Sequence, residues 1–174
     1  MINTTDSGTA DCMSEQLQSP EFIIERTYRA TVNELWELWT TKQGFESWWG
    51  PEGFRVEVHT FEAYMGGAIH YDMIADSPEM IEIMKQMGRP TSHPAHVRFS
   101  EFTPHSRLAI TTLIDFLPEV TPYESTVVVE FHPSGDTVRM VLTLEPMHSD
   151  EFTKMATLGF TGQLSKLDRR YSAG

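Results

Sequence analysis

From residue 21 onward the chain changes from an irregular polar pattern to regular hydrophobic periodicities. Phe22, Ile24 and Tyr28 set against Glu25, Arg26 and Arg29 predict a first strand. Thr31, followed three residues on by Glu34, is a capping box, and Val32, Leu35, Trp36 and Trp39 continue at helical spacing. The helix should run to about Thr40. A second short helix is expected over 42–47, stopped by Gly50 and Pro51 after Trp48-Trp49. Strict alternation then predicts six strands. Phe54, Val56 and Val58 mark the first and Ile69, Tyr71 and Met73 the second, with Gly66-Gly67 as the turn or bulge between them. The next pair spans 96–103 and 107–116, turning at Pro104-His105-Ser106; the last spans 125–132 and 137–144, turning at Pro133-Ser134-Gly135-Asp136. Ser149 caps a long final helix with Asp150 and Glu151 in its first turn. Phe152, Ala156, Phe160, Leu164, Leu167 and Tyr171 form its apolar stripe. Strand, two helices, six strands and a long helix make an α+β pattern, with helices on one face of an antiparallel sheet.

The segment 76–95 does not fit a plain hairpin. Ser77 and Pro78 start a helix, Met80, Ile81, Met84 and Met87 recur at helical spacing, and Gly88 ends it. A long insertion of this kind is either a lid over a binding site or a helix that covers a sheet edge or contacts a second copy of the chain.

Residues 1–19, rich in Ser, Thr, Asp and Gln, read as a flexible tail ahead of a single domain over 20–174. At 174 residues the chain is long enough to fold without disulfides or metal, and its lone Cys12 has no intrachain partner. A reducing, cytoplasmic location is expected, since no secretory leader and no membrane-spanning apolar run are evident. The formal net charge of −12 argues against nucleic acid or anionic membrane surfaces as partners. Ten methionines and ten phenylalanines suit either a loosely specified core or a ligand-lined cavity.

Several pieces, in order, resemble the START-like superfamily, also called SRPBCC. The branch is similar to the C-terminal domain of the activator of the heat-shock-protein-90 ATPase. The match runs from about 21 to 171. Glu25-Arg26 opens it, followed by Ala30 and the helix with Val32, Leu35 and Trp36. Trp48-Trp49-Gly50-Pro51-Glu52-Gly53-Phe54 is its most specific piece. Gly66-Gly67 with Ile69 and Tyr71 resembles a double-glycine strand entry, and Gly159-Phe160 with Leu164 and Leu167 resembles a Gly-Trp-x3-Leu-x2-Leu ending with Phe for Trp. The resemblance implies a helix-grip (Bet v-like) fold. In it a curved six- to seven-stranded antiparallel sheet wraps a long C-terminal helix, with two short helices after the first strand. The superfamily binds lipids, hormones and polyketides, catalyses cyclisation or hydrolysis, or binds chaperones, so the fold does not choose among these roles.

In such a fold a ligand lies between the concave sheet face and the last helix. Strand parity points Ile69, Tyr71, Met73, Ile110, Phe116, Val129, Val138, Met140 and Leu142 inward. From the helix come Met155, Leu158, Gly159 and Phe160, with Gly159 and Gly162 leaving room. Trp48 and Trp49 either line the cavity mouth or anchor the helix pair to the sheet, with one of them expected to anchor. Met84 belongs to the insertion as part of the entrance. The candidate ligand-binding set is therefore Trp48, Trp49, Ile69, Tyr71, Met73, Met84, Ile110, Phe116, Met140, Met155, Gly159 and Phe160. Tyr71 is its best polar member, since its ring packs and its hydroxyl orients a ligand.

No catalytic residue, cofactor or metal is assigned. His93-x2-His96 is the one tempting metal spacing, but it lacks the further ligands a zinc site needs. No nucleophile elbow, zincin motif or phosphate loop occurs. Asp115 and Glu130 fall off the inward parity, as does His70. The expected partner is a small hydrophobic molecule, without nucleic acid or membrane insertion. The alternatives are a polyketide cyclase or hydrolase type of enzyme, and a chaperone-partner or homodimer module.

Overall fold

A computed structural model describes residues 22–115, 117 and 119–171. The expected tail over 1–19, Cys12 and the candidate Phe116 lie outside the described residues. β1 (Phe22–Tyr28) leads into α1 (Val32–Thr40) and α2 (Lys42–Glu46). β2 (Phe54–Phe61) and β3 (Ala68–Ala75) follow, then α3 (Pro78–Gln86). The chain continues through β4 (Ser92–Thr103), β5 (Arg107–Ile114), β6 (Tyr123–Ser134) and β7 (Thr137–Leu144) to α4 (Asp150–Arg170).

The strands form one seven-stranded sheet in the order β1-β7-β6-β5-β4-β3-β2, antiparallel throughout. Six consecutive strands thus make a meander, and β1 closes onto the last of them. Register shifts at Val58/Thr60 and Phe99/Glu101 add local twist and bend the sheet. The result is the curved sheet of the helix-grip fold.

Local chemistry fixes the element ends. The Thr31 hydroxyl accepts from the Glu34 amide at 3.1 Å, and the Glu34 carboxylate accepts from the Thr31 amide at 2.7 Å, completing the capping box of α1. Ser77 and Ser149 cap α3 and α4, and Arg169 and Arg170 occupy the last turn of α4.

Two expectations shift. β4 starts at Ser92 rather than 96, so the insertion is shorter than the apolar gap suggests: residues 92–95 pair with Tyr71–Ile74 despite Pro94. β6 runs on to Ser134, pairing Pro133 with Val138, and the turn tightens to Gly135-Asp136.

Inward parity holds along the strands. Ile69, Ile110, Val129, Val138, Met140 and Leu142 are all buried. On α4 the buried face is Thr153, Gln163, Leu164 and Leu167, while Leu158 is 71% exposed and Met155 58% exposed. The expected inward pointing of these two is therefore corrected. The face of α4 against the sheet is centred on the 160–164–167 line, and both residues project from the opposite side.

Candidate functional site

A cavity of about 370 Å³ lies between one end of the concave sheet face and the middle of α4. β3 contributes Tyr71 and Met73, and β5 contributes Ile110, Thr112 and Ile114. Ser125 and Val127 of β6 and Leu144 of β7 complete the sheet wall. Ala156, Gly159, Phe160 and Gln163 form the helix wall, and Trp49 and Pro51 close one end. The lining is mostly apolar with a few polar groups, the character of a small-molecule site.

Space exists over α4 because the helix is thin there. A Cβ built on Gly159, which lines the cavity, would meet nothing within 4 Å.

The Trp48–Gly53 loop builds the closed end. Trp48 is buried and donates its indole N–H to the Leu38 carbonyl at 3.0 Å, fixing α1 to the loop. Trp49 stacks on Phe45 with ring centroids 4.6 Å apart and meets Phe160 edge-on at 5.8 Å. Its indole Nε1 donates to the Tyr71 hydroxyl at 2.9 Å. Gly50 then takes φ +100°, a left-handed conformation suited to glycine, and a Cβ there would press on the Met73 sulfur at 3.3 Å. This corner is gripped by α4: the Gly50 amide donates to Gln163 Oε1 at 2.9 Å, and Lys166 Nζ donates to the Gly50 carbonyl at 2.7 Å. Burial holds the Lys166 ammonium below its ordinary pKa, partly countered by nearby Glu52. Glu52 itself is held below the usual carboxylate range, chiefly by its hydrogen bond from Arg169.

Tyr71 is buried, and burial pushes its phenol up to about 12, the hydrogen bond from Trp49 opposing this only in part. The hydroxyl is therefore neutral near neutral pH and available as a donor. Gln163 is 5% exposed, and its Nε2 has no hydrogen-bond partner among the described residues. Glu145 is the one formally charged lining residue among those described; it is exposed and accepts from the Thr126 amide at 2.9 Å.

Of the candidate set, Trp49, Tyr71, Met73, Ile110, Gly159 and Phe160 come together around this cavity. Trp48, Ile69 and Met140 do not reach it. They are buried in the solid core, Trp48 beneath α1 and Met140 between Arg26 of β1 and Phe131 of β6. Met155 faces away from the sheet. Met84 is half-buried on α3, and no described residue of α3 lines the cavity. The start of α3 instead docks on the loop through the Asp76 amide, which donates to the Gly53 carbonyl at 2.7 Å. Sequence parity missed Thr112 and Ser125, which continue the inward positions of Ile110 and Val127. It also missed Gln163, whose signal was a polar residue inside the apolar face of the last helix.

Taken together, a curved seven-stranded antiparallel sheet, two short helices after its first strand and a long C-terminal helix packed on it define a helix-grip protein. The chain belongs to the family of Activator of Hsp90 ATPase homolog 1-like proteins, whose model matches residues 29–171. The fold is similar to that of the AHSA1 protein from Silicibacter pomeroyi (TM-score 0.68, 19% identity, 87% of this chain and 96% of that one). It is also similar to a protein from Chromobacterium violaceum (TM-score 0.67, 17% identity, 90% of this chain and 100% of that one). A solution structure from Arthrobacter aurescens is comparable (TM-score 0.66, 21% identity, 85% of this chain and 83% of that one). No curated protein matches the sequence.

Proposed function

We propose that this protein binds a small hydrophobic molecule in the cavity between the sheet and α4. The observation that carries this is the open space over Gly159, in the interior of a long helix. A glycine there costs about 1 kcal/mol of helix stability relative to alanine, and a side chain would meet nothing within 4 Å. A chain selected only for a solid core would gain by filling that position. The mostly apolar lining, with Phe160, Met73 and Ile110 around it, supports an apolar occupant. Native mass spectrometry of the purified protein and a thermal-shift series of apolar aromatic compounds test this. Hits are expected for the wild type and should be lost in Gly159→Leu, which fills the space. Unchanged binding by a folded Gly159→Leu protein would refute it.

A contact role for α3 is supported by a separate observation. α3 buries no residue, and Ile83 and Met87 are 46% and 57% exposed. Sedimentation of the wild type against an Ile83→Glu, Met87→Glu variant tests it: a monomer in both removes the homodimer.

A further inference from the structure

The polar groups of the cavity narrow the chemistry of what it holds, given the ligand-binding role proposed above. The Gly50 amide is a donor, so the Gln163 atom facing it must be the carbonyl oxygen. The orientation of this side-chain amide is therefore fixed by its partner. That leaves the Nε2 group, with two hydrogens, buried and unpartnered among the described residues. A buried donor of this kind costs about 1–3 kcal/mol when unsatisfied. Tyr71 has the same bias. Its oxygen is occupied by the Trp49 indole, a donor only, and no acceptor among the described residues takes its own hydrogen. Both groups are tethered to consecutive residues, Tyr71 to Trp49 and Gln163 to Gly50, which places them at one end of the cavity. The site thus offers donors at its closed end and apolar walls elsewhere. Among the described residues no cationic side chain lines it and the acidic Glu145 is its one charged lining residue, and the chain carries a formal charge of −12. A carboxylate or phosphate would enter against this net charge and with no cationic side chain on the described wall, since Lys166 is held outside it on the Gly50 carbonyl.

We propose that the cavity takes an uncharged, largely apolar molecule bearing a carbonyl-type oxygen, which accepts hydrogen bonds from the Tyr71 hydroxyl and the Gln163 side-chain amide. Trp49 and Gly50 act as positioning residues that hold these donors in place.

A matched pair of probes tests this on the full-length protein. Acetylnaphthalene carries a ketone oxygen, and isopropenylnaphthalene has the same shape with a methylene in its place. Calorimetric titration of the wild type should show the ketone bound about tenfold tighter or more, the preference expected when the isostere leaves buried donors unpaired. In Tyr71→Phe, and in Gln163→Glu, which keeps the acceptor for the Gly50 amide but removes the donor, the preference should shrink toward unity while the hydrocarbon still binds. The wild-type comparison needs no variant to fold. Equal affinities for the two probes in the wild type would overturn the acceptor assignment while leaving the cavity reading intact. Binding of neither probe would overturn both.

Discussion

Replacing Gly159 with alanine isolates the open space over α4. Position 159 is interior to the helix Asp150–Arg170, so the change removes the backbone-entropy cost of glycine, about 0.8–1.0 kcal/mol. The new Cβ meets nothing within 4 Å, so no overpacking opposes the gain. Gly159→Ala should therefore stabilise the protein by about 1 kcal/mol, a rise in Tm of roughly 2–4 °C for a domain of this size. Gly44→Ala is the matched counter-case. It too lies in a helix, but its Cβ would collide with the Glu37 backbone carbonyl, which cannot turn away without opening the α1–α2 junction. That variant should lose about 1–3 kcal/mol. Reversible urea unfolding, followed by circular dichroism with the m-value checked for constancy, measures both. The same residue swap should move the midpoint in opposite directions. A Gly159→Ala protein destabilised by more than about half a kcal/mol would refute the reasoning, because α4 would then sit on the sheet with no room above Gly159.

Two further outcomes are expected. Spectrophotometric titration of the phenols should find Tyr71 ionising near pH 12, against an ordinary value of 10. Because the folded protein holds this proton more tightly than the unfolded chain, the associated stability is complete below pH 10. It is lost as pH rises from about 10 to 12, a change on the order of 2–3 kcal/mol that should be absent in Tyr71→Phe. Thr31→Ala, which removes one half of the α1 capping box, should cost about 1 kcal/mol in urea unfolding, and Thr31→Ser should restore most of it.

Much of the fold was legible in the sequence because its determinants are local. Period-two alternation at Phe54–Val58, Ile69–Met73 and Thr137–Leu144 needs only a two-sided sheet to be read, and Thr31, Ser77 and Ser149 announce helix starts through bonds to residues three positions away. The Trp48–Phe54 motif and the Gly159-Phe160, Leu164 and Leu167 ending of the last helix were the main carriers of the family resemblance. Failures came where non-local pairing decided the answer. Residues 92–95 look like loop, with Pro94 among them, until β3 offers a partner. Trp48 and Trp49 are chemically alike and adjacent, yet one bonds Leu38 in the core and the other reaches Tyr71 across the sheet.

The sequence by itself determined the order of strands and helices, and which side of each strand points inward, because backbone periodicity carries both. Only the tertiary structure decided where the inward face is solid and where it is hollow. Met140 and Ile110 have the same parity and comparable burial, yet Ile110 lines the cavity together with Gly159 and Met140 does not. It also turned Gln163 from an oddity in an apolar stripe into a fixed donor, since its role depends on the Gly50 amide more than a hundred residues away in the chain.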